Sequence, residues 1–393
     1  MPNLHKGKDC CGCSACFAVC PKDAISMKES PLGFKYPEVD AQKCIECKLC
    51  ERVCAFKKDY ATPDNFENPI PVGVRLKDKS ELMKSRSGGV FKAITDYVLS
   101  NGGVIYGVAA DNELNIVHQR ASTPEERDEF RGSKYVQSDL RLTLRQILTD
   151  LKAGKLVVFS GTACQTSGVA SYIPVPLHKN LILVDIVCHG VPAPAIWKDF
   201  TKYAEHKEGS KIKMVNFRDK KFGWHTQYET LTYENGKQES SQIFSFLFHK
   251  AIMMRPSCAV CHFTNLRRPS DLTLADFWGW EKTDPDFNKD DKGASLLLIN
   301  TPKGKDIWEN VKDECDYIFP RLEDCLQPNL QHPTTLNPLS ERFEKDYASY
   351  GFKYVLNKYG NVGLRYKLRI LSMKITNRIK RLIGMKVTYN PYS

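Results

Sequence analysis

The sequence predicts a chain of two unlike modules, a small α+β head and a larger α/β body, followed by a C-terminal basic amphipathic helix. Nine of the fifteen cysteines fall within the first 54 residues, so the head differs sharply in composition from the rest. From about residue 70 onward, short apolar segments alternate with amphipathic ones, which is typical of α/β folds. The last segment combines basic residues with apolar residues at helical spacing. These observations predict domains at residues 1–60, 70–335 and 336–393.

The composition excludes several classes of protein. The 393 residues are 42% hydrophobic and 26% charged, which is the balance of a globular protein and not of a disordered or collagen-like chain. The longest apolar runs are far shorter than the ~20 residues that cross a bilayer. The N-terminus lacks the basic start, apolar middle and small-residue cleavage site of a secretory signal. We therefore expect a cytoplasmic protein.

Two blocks of cysteines in the head share the spacing CxxCxxCxxxC, and every cysteine of the first block recurs 34 residues later. The first block contains Cys10, Cys13, Cys16 and Cys20, and the second contains Cys44, Cys47, Cys50 and Cys54. Bacterial two-cluster ferredoxins use this spacing for 4Fe-4S clusters. Three closely spaced thiolates can bind three irons of one cube, while the fourth, entering a helix, points toward the other cube. The duplication therefore predicts a ferredoxin-like head with two 4Fe-4S clusters.

The resemblance to ferredoxins implies that ligation crosses between the blocks. One cluster would be bound by Cys10, Cys13, Cys16 and Cys54, and the other by Cys44, Cys47, Cys50 and Cys20. Pro21 follows its cysteine as in ferredoxins, Ala55 departs from the pattern at a position that binds no iron, and Cys11 lies outside the CxxC spacing. The alternative is a pair of zinc knuckles, but zinc sites usually come as CxxC pairs separated by a longer loop. Between the blocks, 24–27 and 35–39 predict the strands of a hairpin.

Turn and capping signals delimit further elements in the body. Strands are predicted at 72–76 and 104–109, and between them Ser-Gly-Gly opens a helix over 87–99. Thr123 begins a capping box with proline at the first helical position, so a helix is expected to start there. Another amphipathic helix is predicted over 138–152.

Three segments of the body lead into cysteines. The predicted strands 155–159 and 181–187 each run into a cysteine-containing loop, and the predicted helix 243–253 is followed directly by a CxxC pair. The cysteines concerned are Cys164, Cys188, Cys258 and Cys261. Ligands in open α/β sheets bind at the carboxyl ends of the strands, so these four cysteines could converge there. From the residues alone they could equally be buried free thiols, half a zinc site or a redox dithiol.

Six short motifs follow one another along the body. They are SRSGG at 85–89, GSKYVQS at 132–138, GTACQ at 161–165, CHGVP at 188–192, CAVC at 258–261 and DLTLADFWG at 271–279. In this order they resemble the family of coenzyme F420 hydrogenase/dehydrogenase beta subunits over roughly residues 70–335. The resemblance implies an α/β flavoprotein body, with FAD as the expected flavin. It also implies a third 4Fe-4S cluster, whose ligands would be Cys164, Cys188, Cys258 and Cys261.

The flavin site is less visible in the residues themselves. The candidate cofactor-binding residues are Ser87, Gly88, Gly89, Lys134, Gly161, Thr162 and Gln165. Gly88 and Gly89 at a helix start would offer backbone N–H groups to a pyrophosphate, and Lys134 would neutralise phosphate charge. The alternative is a plain glycine turn and a solvated lysine, since the sequence lacks the GxGxxG fingerprint.

Other side chains of the body carry weaker signals. His189 is the candidate catalytic residue, because it could move a proton at the flavin, or else donate a hydrogen bond to a cluster sulfur. Trp224, Trp278 and Trp280 could stack on a cofactor or substrate ring, although a tryptophan is more often a core residue. The two remaining cysteines, in a helix-like segment and a loop, lack ligand spacing and are predicted to be structural.

The C-terminal segment 363–386 carries eight basic residues and no acidic one. Since the formal net charge is +11, the rest of the chain sums to +3, which does not support binding to nucleic acid. Apolar residues recur there at helical steps, namely Leu364, Leu368, Leu371, Ile375, Ile379 and Leu382. This spacing predicts one apolar stripe on a basic amphipathic helix. Such a helix could contact the inner face of an anionic membrane or an acidic partner, but we favour packing of the stripe on the protein's own domain.

The sequence thus predicts an iron–sulfur flavoprotein oxidoreductase that passes electrons between 4Fe-4S clusters and a flavin to reduce or oxidise a small organic substrate or cofactor. Its expected redox partner is a ferredoxin or another oxidoreductase subunit, and no nucleic acid is expected. Two alternatives stay open. One is an electron-transfer subunit of a larger redox complex without substrate chemistry of its own, and the other is an iron–sulfur scaffold or sensor without a flavin.

Overall fold

The computed structural model of the chain describes residues 2–382. Its strands are β1 (Ile25–Glu29), β2 (Lys35–Val39), β3 (Ile70–Leu76), β4 (Val104–Ala110), β5 (Ile116–Ala121), β6 (Val157–Thr162), β7 (Leu181–Ile186), β8 (Ile212–Asn216), β9 (Glu229–Tyr233), β10 (Gln238–Ser241), β11 (Leu272–Asp276), β12 (Ser295–Ile299) and β13 (Cys315–Ile318). Its α-helices are α1 (Ala15–Val19), α2 (Leu49–Arg52), α3 (Lys79–Lys84), α4 (Val90–Ser100), α5 (Pro124–Asp128), α6 (Thr143–Lys152), α7 (Ala163–Tyr172), α8 (Pro194–Glu208), α9 (Ile243–His249), α10 (Pro302–Val311), α11 (Ser340–Tyr359) and α12 (Gly363–Leu382).

The head is built around an antiparallel hairpin. β1 pairs with β2, with Ile25 opposite Val39, and the connection turns at Gly33, whose φ of +81° favours glycine. Each cysteine block leads into a short helix, α1 or α2, which follows a residue in the left-handed conformation, Ser14 or Lys48. The repeat in the sequence is therefore also a repeat of loop and helix in the structure.

The body is organised around an eight-stranded mixed sheet in the order β13-β3-β12-β11-β7-β6-β4-β5. β4, β6, β7 and β11 are parallel to one another. Val158 of β6 packs against α4 and α10 on one face, whereas Val157 and Phe159 pack against α6 and α7 on the other. Strands covered on both faces are apolar along their length, and every residue of β12 is buried. The head contributes Ala15 to the core beneath α6 and α7, so head and body share that face.

A second part of the body surrounds a three-stranded sheet in the order β10-β9-β8. Trp197 of α8, Phe244 of α9 and Phe343 of α11 share its core. The helix α11 contains a backbone break at Gly351, whose φ is +74°. Across residues 2–382, we find no helix with the length and apolar character that spanning a membrane requires.

The predicted helix 138–152 is shorter in the structure, because α6 begins only at Thr143. The preceding stretch is held in extended form by β5 instead. Asp139 N donates to the backbone oxygen of Ile116 at 2.9 Å, and His118 N donates to that of Asp139 at 3.0 Å. Backbone pairing with a strand therefore overrides the helical pattern at this end.

The predicted strand 155–159 continues as β6 as far as Thr162. The helix α7 then starts at once, because the Thr162 side chain and the Gln165 side chain form a reciprocal capping box. The expected loop is thus replaced by a direct strand-to-helix turn. The capping box predicted at Thr123 is present as expected.

Two further expectations differ from the structure. The predicted helix 243–253 ends as α9 at His249, because Met253 turns away to accept a backbone hydrogen bond from Ala193 at 2.9 Å. Cys315, expected in a helix-like segment, is the buried first residue of β13, where the edge of β3 offers it a pairing partner. Cys325 is also buried.

The prediction that the apolar stripe of the C-terminal helix packs on its own domain is wrong for the members whose side chains are described. Leu364, Leu368, Leu371 and Ile375 are all exposed on α12. The reason is that the helix packs on the body through its other face. The side chains of the remaining two members of the stripe are not described, and residues 383–386 of the predicted basic segment lie outside the described residues.

Candidate redox site

Two cavities in the head are lined by the cysteines of the two blocks. The inner head cavity is lined by residues that include Cys10, Cys13, Cys16 and Cys54. The outer head cavity is lined by residues that include Cys20, Cys44, Cys47 and Cys50. The outer cavity takes three cysteines from the second block and one from the first, and the inner cavity takes the three predicted cysteines of the first block together with Cys50 and Cys54 of the second. Both groupings are compatible with crossed ligation. The ligation itself stays a prediction.

The buried thiols of the head favour a positively charged ligand. Burial raises the pKa of Cys10, Cys16 and Cys54 above the ordinary value for a thiol. Backbone N–H groups aimed at the same sulfurs work in the opposite direction and favour the thiolate. A coordinating metal deprotonates such a thiol outright, and positively charged iron would compensate the negative thiolate charge that burial otherwise disfavours. The donor set therefore fits a metal cluster.

A third cavity, which we call the junction cavity, lies between the head and the body. Its lining includes Cys164, Cys188, Cys258 and Cys261 of the body and Cys11 of the head. Gly190 N donates to Cys188 Sγ at 3.3 Å, and Val191 N donates to Cys258 Sγ at 3.4 Å. Burial raises the pKa of Cys258 to about 12 and that of Cys261 to about 11. The four body cysteines thus form one half-buried donor set, with backbone N–H donors aimed at two of its sulfurs.

Several elements of the body deliver these cysteines. Cys164 lies in the first turn of α7, directly after β6, and Cys188 follows β7. Because β6 and β7 are parallel neighbours, their carboxyl ends bring the two cysteines together. Cys258 lies in a short 3₁₀ turn that ends at Cys261. Gly190 permits the close approach of this turn, since its φ is +113° and a Cβ there would lie 2.6 Å from the Met254 sulfur and 3.3 Å from the Cβ of Cys258.

The cysteine groups surround cavities and do not converge on one point. In residues 2–382, no group of three or more His, Cys, Asp or Glu side chains is placed to hold a single metal ion. A cubane distributes its four thiolates over four irons, so its ligands surround a volume. In the three cysteine-lined cavities, the cysteines likewise surround a volume, as the ligands of a cubane do.

Cys11 is the contact between the head and the junction cavity. It lies outside both predicted ligand sets of the head, yet it lines the inner head cavity as well as the junction cavity. Its buried thiol lies beside Cys13 and Cys164, and these two neighbouring thiols together with burial raise its pKa well above the usual value. No spacing signal marks Cys11 in the sequence, because only the folded chain brings it beside Cys164.

Arg255 fastens the head to the body. Its side chain is 1% exposed. The guanidinium donates to the backbone oxygens of Cys10 at 2.8 Å and Lys35 at 2.9 Å, and to Gln137 Oε1 at 2.9 Å. Gln137 in turn donates to the backbone oxygen of Cys11 at 2.9 Å. A buried positive charge is thereby held 3.7 Å from Cys10 Sγ, where it favours a thiolate.

A larger cavity of about 380 Å³, the sheet-edge cavity, opens at the carboxyl ends of β6, β7 and β11. The predicted residues that line it are Ser87, Gly89, Lys134, Gly161, Thr162, Gln165 and His189. Gly88 is not among them. Its N–H donates to Ser295 Oγ at 2.8 Å, and a Cβ there would lie 1.8 Å from the backbone oxygen of Val74. Gly88 therefore allows close packing on the sheet, and the prediction that it binds a phosphate is wrong.

Two of the predicted residues have partners within the protein. Lys134 Nζ donates to the backbone oxygens of Glu129 at 2.6 Å and Arg131 at 3.0 Å, and burial lowers its pKa to about 7. The Gln165 amide closes the capping box of α7 and donates to Ser138 Oγ at 3.0 Å. Gln165 thus shapes the cavity wall, while Lys134 offers only part of a positive charge near neutral pH.

The structure adds a buried ion pair that the sequence did not indicate. Arg218 donates to Asp276, and its guanidinium carbon lies 5.5 Å from the ring centroid of Trp278. That ring stacks on the buried Trp224 with centroids 4.4 Å apart. Burial alone would raise the pKa of Asp276, but Arg218 and Arg86 hold it below its ordinary value. The position of Asp276 at the end of a strand was a usable signal, whereas nothing in the sequence marked Arg218.

The three candidate tryptophans differ in their surroundings. Trp224 is buried and Trp280 packs partly buried against the core, as the default interpretation expects. Trp278, which is 37% exposed, lines the sheet-edge cavity. Only Trp278 is therefore placed to contact a bound ring.

The sheet-edge cavity has an excess of basic groups. Its basic lining residues are Arg86, Lys92, Arg131, Lys134 and Arg218, against the single carboxylate of Asp276. Arg131 and Lys92 are paired with carboxylates outside the lining. Arg86 donates to backbone oxygens, and burial together with the nearby Arg218 lowers its pKa to about 10. A cationic wall of this kind favours an anionic ligand.

Two histidines face the sheet-edge cavity. His189 follows Cys188 on the same loop, and burial lowers its pKa, although the nearby Asp276 opposes this. His249, at the end of α9, was not predicted, and burial together with His189 lowers its pKa to about 4. The lowered pKa values favour the neutral form of both imidazoles, in which each can accept or donate a proton in a hydrogen bond.

Comparison with known protein families yields two matches. Residues 9–58 match the model for a 4Fe-4S dicluster domain, and residues 154–323 match that for the C terminus of the coenzyme F420 hydrogenase/dehydrogenase beta subunit. The first match favours iron–sulfur clusters over zinc in the head. The two matches confirm the resemblance drawn from the cysteine blocks and from the six motifs.

Curated relatives cover different shares of the chain. A subunit of the F(420)H(2) dehydrogenase of Methanosarcina mazei is 23% identical over 188 residues, which are 46% of this chain and 53% of the relative. The coenzyme F420-dependent sulfite reductase of Methanocaldococcus jannaschii is 24% identical over 385 residues, which are 91% of this chain and 54% of the relative. The DNA-directed RNA polymerase subunit Rpo3 of Methanosarcina acetivorans is 36% identical over 107 residues, which are 26% of this chain and 33% of the relative.

The chain thus spans between 33% and 54% of the length of these relatives. A solved structure of the F420-reducing NiFe hydrogenase complex from Methanosarcina barkeri aligns with a TM-score of 0.44 and 18% sequence identity. That alignment covers 76% of this chain and 91% of the matched chain.

Proposed function

We propose that this chain, a member of the family of coenzyme F420 hydrogenase/dehydrogenase beta subunits with an N-terminal 4Fe-4S dicluster domain, is an iron–sulfur flavoprotein oxidoreductase. In this proposal the head holds two 4Fe-4S clusters, the junction cavity holds a third, and the sheet-edge cavity holds a flavin. A small organic substrate or cofactor is reduced or oxidised at the sheet edge.

One observation carries the proposal, namely that each pair of neighbouring cavities shares a cysteine. Cys50 lines both the outer and the inner head cavity. Cys11 lines both the inner head cavity and the junction cavity. Cys188 lines both the junction cavity and the sheet-edge cavity. The four cavities therefore form a row, and adjoining sites are what an electron pathway needs, because electron transfer slows steeply as the gap widens.

The protein's own side chains hold this row together. Arg255 ties the loop of Cys10 to the body, so the head cannot shift away from the junction cavity without breaking buried hydrogen bonds. On the other side of the junction cavity, Arg268 forms a buried ion pair with Asp185 of β7 at 2.9 Å and donates to the backbone oxygen of Phe263 at 2.5 Å. This pair anchors the segment that follows the CxxC cysteines to the central sheet.

The sheet-edge cavity fits a flavin by its charge and its walls. Iron–sulfur clusters exchange single electrons, whereas a flavin exchanges single electrons or a hydride pair, so the two together join one-electron to two-electron chemistry. Arg86 supplies positive charge for a phosphate-bearing ligand, Arg218 compensates the carboxylate of Asp276, and Trp278 supplies a flat wall. His189 is the neutral imidazole placed to exchange a proton with a bound substrate.

The two ends of the row suit two kinds of partner. At the outer head cavity, Cys47 is exposed and Ile45 is 58% exposed, which supports contact with a ferredoxin or another oxidoreductase subunit. The names of two relatives refer to coenzyme F420, a deazaflavin that carries a hydride pair, and this supports a two-electron organic carrier at the sheet edge.

Anaerobic rapid mixing tests the proposal. The chain is reconstituted with iron, sulfide and FAD and mixed with reduced ferredoxin, and cluster and flavin absorbance are recorded over time. We expect the clusters to be reduced before the flavin, and Cys258→Ala to block flavin reduction while the head clusters are still reduced. Cys315→Ala, which removes a buried cysteine of β13 that lines none of the four cavities, is the matched control and should behave like the unaltered chain.

Two results would contradict this function. One is a reconstituted chain that retains no flavin. The other is flavin reduction in Cys258→Ala as fast as in the control. Turnover of an added organic acceptor by the isolated chain then separates an enzyme from an electron-transfer subunit, the second candidate, which the similarity to a subunit of the F(420)H(2) dehydrogenase supports.

A further inference from the structure

The helix α12 presents an apolar stripe that the described part of the protein does not cover. Leu364 is 71% exposed, Leu368 56%, Leu371 55% and Ile375 53%. Single exposed apolar side chains are ordinary on protein surfaces. Four of them at steps of four, three and four residues lie in one row along the helix, about 16 Å long, and form a continuous patch.

The opposite face of α12 packs on the body, which fixes the stripe outward. Tyr366, Ile370 and Met373 are half-buried on that face. The Tyr366 ring lies edge-on to Phe246 of α9, with centroids 5.7 Å apart. The Arg369 guanidinium lies over the Tyr366 ring at 5.5 Å. The exposure of the stripe is therefore a consequence of how the helix docks.

The charge of this helix is uniform. Residues 363–382 include seven basic side chains and no acidic one. Among those whose side chains are described, Lys367 is exposed and adjoins Leu368 of the stripe. Lys250, at the end of α9, lies close to Arg369 and extends the basic surface onto the body. The patch thus combines aliphatic side chains with positive charge alone.

We propose that this face of α12 binds the surface of an anionic phospholipid bilayer. The leucines and the isoleucine enter the boundary between headgroups and acyl chains, and the basic side chains lie at the lipid phosphates. The row is straight and open, so a bilayer can accept it without a matching pocket, whereas an acidic protein partner would have to provide an apolar groove. This proposal does not depend on the redox function.

Co-sedimentation of the full-length, anaerobically purified chain with vesicles tests the proposal. One set of vesicles contains equal parts of phosphatidylglycerol and phosphatidylcholine, and the other contains phosphatidylcholine alone. We expect binding to the anionic vesicles, weaker binding at high salt, and little binding to the neutral ones.

The double variant Leu368→Asp/Leu371→Asp is expected to lower the partition coefficient on anionic vesicles at least about tenfold. Leu142→Asp is the matched control, because Leu142 is 51% exposed at the start of α6 and should leave binding unchanged. Circular dichroism and iron content verify that both variants are folded. Equal binding of the double variant and the control, no binding to either kind of vesicle, or binding only to polyglutamate or duplex DNA would overturn the proposal.

Discussion

The head and the body assemble their cysteine sites in opposite ways. In the head, the eight predicted ligands come from two contiguous blocks within residues 10–54, and each block is a loop followed by a short helix. In the body, the four cysteines are spread over residues 164–261: Cys164 and Cys188 meet because β6 and β7 are parallel neighbours, and a separate turn brings Cys258 and Cys261 to them. The head site is thus encoded in local spacing, and the body site in topology.

This difference has an energetic consequence. The head has two short strands and two helices of 5 and 4 residues, so little of its own structure remains if its ligands are removed. The junction and sheet-edge cavities are walled by the eight-stranded sheet and its helices, which have their own core. Metal binding should therefore be coupled to folding in the head and largely uncoupled in the body.

Removal of iron is expected to produce the largest difference in stability between the head and the body. Chelation of the reconstituted chain is expected to lower amide exchange protection at residues 10–54 at least about a hundredfold, while the strands of the central sheet keep theirs. Hydrogen exchange read by mass spectrometry measures both regions in one sample. Equal loss of protection in β12 and in the head would mean that the body also depends on its metal for folding.

Loss of an anchor in the sheet-edge cavity should weaken binding without unfolding the body. Arg218→Met is expected to lower the affinity for FAD by about 10–100-fold, because it removes a positive charge from the cavity wall and leaves the carboxylate of Asp276 uncompensated beside an anionic ligand. Isothermal titration of the flavin-free protein measures this affinity. Arg120→Met removes a comparable arginine, paired with Asp150 at 2.7 Å outside the cavity, and should leave FAD affinity unchanged.

An unchanged affinity in Arg218→Met would show that the cationic wall plays no part in flavin binding. Arg218→Lys keeps the charge but loses the fork geometry of the guanidinium. An intermediate affinity in that variant would show how much of the effect comes from charge alone. Thermal melting of the three variants distinguishes weaker binding from loss of the fold.

The smallest expected effect concerns the contact between the two regions. Cys11→Ala should keep the full iron content, because Cys11 belongs to no predicted ligand set, but it should slow electron transfer from the head to the flavin severalfold by widening the gap beside Cys164. Rapid mixing with reduced ferredoxin measures the rate, with Cys315→Ala as control. A loss of about four irons would instead identify Cys11 as a ligand.

The parts of the molecule that could be predicted are those specified by residues near one another in sequence. The two cysteine blocks, the hairpin between them and the capping box at Thr123 all belong to this class. Contacts between segments that are distant in sequence could not be predicted from local patterns. Arg255 lies 245 residues from Cys10, and Arg218 lies 58 residues from Asp276.

Two errors have the same origin in long-range packing. Gly88 resembles a phosphate-binding glycine by its place before α4, but β3 and β12 occupy the space around it. The stripe of α12 was expected to be buried because apolar residues usually are. In the structure, the opposite face of the helix packs on the body instead, with Tyr366 in contact with α9. In both cases the local pattern was identified correctly, but the part of the molecule that it contacts was predicted wrongly.

Iron and acid-labile sulfide in the anaerobically reconstituted chain test the central claim, that the body completes a row of clusters begun in the head. Three cubanes require about twelve irons and about twelve sulfides per chain, with about four of each lost in Cys258→Ala and none lost in Cys315→Ala. A value of about eight that is unaffected by Cys258→Ala, or zinc in place of iron, would contradict it.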